Sequence, residues 1–123
     1  VESMSTVLVV DDSMTEMQVI TSCLQRGGLS VQTATSSEEA IVKISSQRPD
    51  VIILDVVLPG RSGFELCRDL KSEAGTSTIP VVMCSTKGSE MDKFWGMKQG
   101  ADAYITKPID QEKLLQTVKQ LLK

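Results

Sequence analysis

Two adjacent aspartates, Asp11 and Asp12, a third at Asp55, a hydroxyl at Ser85 and an amine at Lys107 are the residues of this chain best placed to do chemistry. Each group ends or directly follows a short apolar run: TVLVV before Asp11, VIIL before Asp55, VVMC before Ser85 and AYIT before Lys107. A carboxylate inside such a run would lose several kcal/mol of solvation, so Asp55 is expected at the end of a buried strand, facing a crevice that holds a compensating cation or hydrogen bonds. Three carboxylates drawn together repel, and without compensation at least one takes up a proton. A divalent cation relieves this. All-oxygen ligation with room for water and phosphate oxygens suits Mg²⁺ better than a dedicated Ca²⁺ cage. A carboxylate neutralised in this way can attack phosphorus, since carboxylates form aspartyl phosphates. The cation, the Lys107 ammonium and the Ser85 hydroxyl would then stabilise the charge on the equatorial oxygens.

Taken singly, each residue has a plainer reading. An Asp-Asp pair before a helix is usually an N-terminal cap, and a lysine before Pro108 is usually a solvated turn residue. The weight lies in the joint placement, which depends on the elements that carry these residues. Ser13 and Glu16 have the S-x-x-E spacing of a capping box, followed by Met17, Ile20 and Leu24 at helical spacing until Gly27-Gly28. Leu29 to Thr35 reads as a second strand. Ser36 and Glu39 open a second helix with an apolar stripe at Ala40, Ile41 and Ile44. Val51 to Gly60 is a fully buried third strand running into the Pro59-Gly60 turn. Ser62 and Glu65 start a third helix, with Leu66, Cys67 and Leu70 inward. Val81 to Ser85, a helix from Glu90 to Gln99, Ala101 to Thr106 and a helix capped by Asp110 complete the chain. In the fourth helix Phe94 and Trp95 lie about 100° apart, so one is expected in the core and one outside.

Strand and helix thus alternate five times with short connections. The predicted fold class is α/β: a doubly wound, flavodoxin-like parallel sheet of five strands in the order 2-1-3-4-5, with helices on both faces. In that order the first and third strands flank the crevice where the winding reverses, so Asp11, Asp12 and Asp55 would converge there.

The totals narrow the function. A length of 123 residues is one ordinary domain, and 13 basic against 16 acidic residues, with no basic cluster, argues against direct nucleic-acid binding. The absence of histidine excludes imidazole catalysis and imidazole zinc sites. Cys23, Cys67 and Cys84 read as reduced thiols in or near the core. No apolar run spans a membrane and no secretory signal is visible, so a cytoplasmic protein without membrane insertion is expected. Residues 1–5 read as an extension, with Val1-Glu2-Ser3 an expression remnant and Met4 the natural start.

Over Thr6 to Lys123 the chain resembles the receiver domains of two-component response regulators, in size the CheY-like stand-alone receivers. The likeness rests on Asp11-Asp12, Asp55 with Pro59-Gly60, Ser85, Gly100-Ala101-Asp102, Tyr104 and Lys107-Pro108. The resemblance implies a receiver domain over residues 6–123 in which Asp55 accepts a phosphoryl group from a histidine kinase or phosphotransfer domain. It further implies that Asp12, Asp55 and the Val57 backbone carbonyl hold Mg²⁺ with Asp11 assisting through water, and that Lys107, joined to Pro108 by a cis bond, contacts the phosphoryl group. Ser85 would move inward and Tyr104 turn in behind it, changing the surface of the fourth helix, fifth strand and fifth helix read by a downstream protein. Such a protein is a switch that catalyses only its own phosphorylation and dephosphorylation, not an enzyme acting on others.

The departures are Ser85 in place of the commoner threonine, and the residues at Val57 and Lys87, positions that in the family influence access of hydrolytic water. The segment Lys93 to Tyr104 is similar to regulators of surface motility. Two other readings compete: a haloacid dehalogenase-like phosphatase, which would carry its nucleophile in a DxDx[TV] motif after the first strand, and a phosphorylation-independent receiver acting by its surface alone.

Overall fold

The computed structural model describes residues 4–123, so the reading of Val1-Glu2-Ser3 lies outside the described residues. The order of elements is β1 (Thr6–Val10), α1 (Met14–Arg26), β2 (Ser30–Ala34), α2 (Ser37–Ser46), β3 (Val51–Leu54), α3 (Gly63–Ser72), β4 (Val81–Ser85), α4 (Glu90–Lys98), β5 (Ala103–Thr106) and α5 (Gln111–Leu121). The strands form one parallel sheet in the order β2-β1-β3-β4-β5, as the alternation predicted.

The sheet is buried on both faces because its central strands carry apolar residues at consecutive positions. Side chains alternate across it. Leu8, Val10, Ile52, Leu54, Val81 and Met83 pack with residues of α2 and α3, including Ala40, Leu66, Cys67 and Leu70. Val7, Val9, Val51, Ile53, Val82 and Cys84 pack with Met17, Ile20 and Leu24 of α1 and with Leu114 and Val118 of α5.

A side-chain oxygen accepts an N–H three residues on at every helix start: Ser13 from Glu16, Ser36 from Glu39, Ser62 from Glu65, Ser89 from Asp92 and Asp110 from Lys113. Each such cap is worth about 1 kcal/mol. The reciprocal bond of a capping box forms at Ser89 and Asp92. Glu39 bonds the Thr35 amide instead, and the Glu16 side chain turns away from the cap to Lys107.

The expectation for Phe94 and Trp95 is corrected: both are exposed, at 59% and 49%, with Met91 and Met97 also outside. The reason is the narrow contact of α4 with the sheet. Its buried residue is Gly96, where an added Cβ would lie 2.9 Å from the Tyr104 ring and 3.4 Å from Phe64. The 100° between Phe94 and Trp95 therefore straddles solvent instead of the core boundary. Ile41, expected in the α2 stripe, is 40% exposed.

Candidate functional site

Ladder bonding continues one residue beyond the strand ends and fixes the backbone of the polar residues there. The Asp11 amide donates to the Ala34 carbonyl (3.0 Å), Asp55 to Val10 (3.0 Å) and Lys107 to Ser85 (2.9 Å). Asp11, Asp55, Ser85 and Lys107 therefore stand along one edge of the sheet, and all four are buried.

Three loops then turn in the same way. The Ser13 amide donates to Asp11 Oδ1 at 2.9 Å, the Val57 amide to Asp55 Oδ1 at 3.2 Å and the Lys87 amide to Ser85 Oγ at 3.3 Å. In each, a short polar side chain accepts the amide two residues on, which redirects the chain away from the strand.

The second oxygens of Asp11 and Asp55 meet one cation. Lys107 Nζ donates to Asp11 Oδ2 at 2.6 Å and to Asp55 Oδ2 at 2.9 Å. Burial alone would lower the pKa of this amine, but its carboxylate partners outweigh that and hold it above the ordinary lysine range. Burial raises the Asp11 carboxyl, and the bonds from Lys107 and the Ser13 amide only partly offset the rise.

Carboxylate oxygens of Asp11, Asp12 and Asp55 all lie within 4.8 Å of one another, with Asp12 exposed at the rim. Hard oxygen donors with an open, solvated side fit Mg²⁺, which keeps several of its waters. Val57 is exposed beside Asp55.

Ser85 is fully buried, and Tyr104 is half-buried with its hydroxyl donating to the Lys87 carbonyl. Burial, reinforced by the charges of Asp92 and Asp55, pushes the Tyr104 pKa up to about 12. Ser85 and Tyr104 thus both bond Lys87, one through its amide and one through its carbonyl. The Lys107–Pro108 peptide is cis.

Asp11, Asp12, Asp55, Ser85 and Lys107 all lie at this end of the sheet, whereas Asp102 stands at the opposite end, bonded to Val81 at the start of β4; one residue of the site was missed. Glu16 Oε2 accepts from Lys107 Nζ at 2.6 Å. In the sequence Glu16 reads as the far half of the Ser13 capping box. The Ser13 amide is already bonded to Asp11, and the Glu16 side chain turns across to the end of β5 instead. No local spacing signals a contact across 91 residues.

A doubly wound sheet with an acidic cleft at its topological switch point defines a class of ligand-binding α/β proteins. Residues 7–119 match the response regulator receiver domain family. The chain is 43% identical over 119 residues to protein PilH of Pseudomonas aeruginosa, an alignment covering 97% of this chain and 98% of that protein. A putative response regulator from Chloroflexus aurantiacus superposes with a TM-score of 0.94 at 35% identity, covering 98% of both chains. The chemotaxis response regulator CheY4 of Vibrio cholerae superposes with a TM-score of 0.89 at 36% identity, covering 98% of this chain and all of that one. The chain belongs to the response regulator receiver family of two-component signalling and has the CheY-like fold. Among the described residues no helix is long and apolar enough to cross a membrane.

Proposed function

We propose that this protein is a phosphorylation-driven switch, with its receiver domain over residues 6–123, working in the cytoplasm. Asp55 takes a phosphoryl group from the phosphohistidine of a histidine kinase or phosphotransfer domain, and the altered surface of α4, β5 and α5 controls a downstream protein. One observation carries the reading: a single buried ammonium, Lys107, bonds both Asp11 and Asp55 while three aspartate oxygens stand within 4.8 Å. The likeness of Lys93 to Tyr104 to surface-motility regulators suggests the pathway.

In the proposed step Asp55 Oδ2 attacks phosphorus, the phosphorus–nitrogen bond breaks, and the departing imidazole keeps the electron pair. Mg²⁺, held by Asp12, Asp55 and the Val57 carbonyl with Asp11 assisting through water, would supply positive charge to the phosphoryl oxygens. The Val57 amide on Oδ1 and the Lys107 ammonium on Oδ2 fix the Asp55 carboxylate, and Oδ2 becomes the attacking atom as the lysine leaves it. Lys107 moves its donor from Asp55 Oδ2 to a phosphoryl oxygen. Ser85 lies on the adjacent strand with its hydroxyl proton available to a phosphoryl oxygen, and a shift of its oxygen toward that group would strain the bond from the Lys87 amide. The Lys87 carbonyl also holds the Tyr104 hydroxyl, so movement at Lys87 would release the Tyr104 ring from its outward bond.

The test is intact-mass measurement after incubation with Mg²⁺ and acetyl phosphate. A single labile phosphoryl adduct, removed by hydroxylamine and lost in Asp55→Asn, is expected. Turnover of many phosphate esters would instead favour a phosphatase, and no adduct with acetyl phosphate or a phosphohistidine donor would favour a receiver acting by its surface alone.

A further inference from the structure

The switch reading leaves Glu16 without a role. Resting on that reading, we propose that Glu16 is a positioning residue that restrains Lys107, tilting the cleft toward cation binding and away from the phosphoryl group.

An ammonium has three donors, and those of Lys107 are all taken: by Asp11 Oδ2 at 2.6 Å, Glu16 Oε2 at 2.6 Å and Asp55 Oδ2 at 2.9 Å. The bond to Asp55 is the longest, so the ammonium leans toward Asp11 and Glu16. When Asp55 carries a phosphoryl group, the donor now on Asp55 is the one free to exchange onto a phosphoryl oxygen. Glu16 occupies another donor that a second phosphoryl oxygen would otherwise receive.

The bond to Glu16 joins a buried amine to a carboxylate that is 40% exposed. The Lys107 side chain is 3% exposed, and beside the pair lies a mainly apolar cavity of about 160 Å³ lined by Val19, Ile20, Pro108 and Ile109. Glu16 is also free for this task. Its capping partner, the Ser13 amide, is held by Asp11.

The charge balance points the same way. Three aspartates facing one lysine already favour a divalent cation, and Glu16 adds another negative charge while drawing on the same lysine. Removing it should weaken cation binding and strengthen phosphoryl binding. A residue that served only to hold α1 in place would shift both in one direction or neither.

The experiment compares the full chain with its Glu16→Gln and Glu16→Ala variants. Mg²⁺ alone is titrated first by amide chemical shifts, followed by beryllofluoride, a phosphoryl mimic, at saturating Mg²⁺. The Mg²⁺ dissociation constant is expected to rise about fivefold in both variants, and that of beryllofluoride to fall about threefold. Constants unchanged within twofold, or weaker binding of beryllofluoride, overturn the inference alone. A wild-type chain that takes up neither Mg²⁺ nor beryllofluoride overturns the phosphoacceptor reading, and the inference falls with it.

Discussion

Gly63 stands so close to Asp55 that a Cβ on it would lie 1.9 Å from the Asp55 carbonyl oxygen. The Gly63 amide meanwhile donates to the Val56 carbonyl at 2.9 Å. The first residue of α3 is thus packed against the backbone that presents the proposed phosphoacceptor, and the obstructing atoms are main chain, which cannot swing aside. Gly63→Ala is expected to destabilise the fold by about 3 kcal/mol and to displace the Asp55 loop. Gly75→Ala is the control, since nothing lies within 4 Å of its added Cβ. Urea unfolding and acetyl phosphate labelling of both variants check this. A Gly63→Ala protein with wild-type stability and labelling would refute the packing argument.

Lys107 is the buried counter-ion of Asp11 and Asp55. Replacing it with methionine keeps the stem and leaves the carboxylates facing one another, which should cost about 3–5 kcal/mol without a divalent cation. Mg²⁺ should restore much of this loss, because it supplies the missing charge. Thermal melts with and without Mg²⁺ should show a larger Mg²⁺-dependent rise in Tm for Lys107→Met than for wild type. An equal rise would mean that Lys107 does not neutralise the cleft.

Burial pushes the Cys67 thiol up to about 11 and the Cys84 thiol up to about 12 from an ordinary value of 9.0. A thiol whose pKa is raised by folding contributes stability that is fully present below the unfolded value and is lost as pH rises through the folded one. Stability should therefore hold below pH 8 and fall from pH 9, by about 1.4 kcal/mol per thiol at pH 10. The Cys67→Ala/Cys84→Ala variant should be less stable at pH 7 and lose less between pH 8 and pH 10. Parallel denaturation curves for the two proteins across that range would show that the thiols do not drive the loss.

Val57 lies exposed beside Asp55, an apolar side chain where hydrolytic water would approach. Val57→Asn provides an amide able to hold such a water and should shorten the acyl-phosphate lifetime severalfold with little change in stability. Loss of the adduct over time, followed by intact mass after removal of acetyl phosphate with Mg²⁺ kept present, measures it. An unchanged lifetime would place the control of hydrolysis elsewhere.

The order of elements, the parallel sheet and the convergence of Asp11, Asp55, Ser85 and Lys107 were legible because each rests on a local signal. Apolar runs ending in polar residues mark strand ends, S-x-x-E spacing marks helix starts, and βα alternation permits few topologies. Two features were not legible, for different reasons. Phe94 and Trp95 have the spacing of one core and one surface residue, but how deeply α4 settles on the sheet depends on Gly96 meeting the rings of Tyr104 and Phe64. Glu16 carries a capping spacing, and only the tertiary structure shows its cap partner already taken by Asp11 and Lys107 within reach. Periodicity and spacing determine which residues reach the C-terminal edge of the sheet. Which of several carboxylates shares one buried ammonium is decided by the fold, because that ion pair joins groups far apart in the chain and its strength depends on the burial around it.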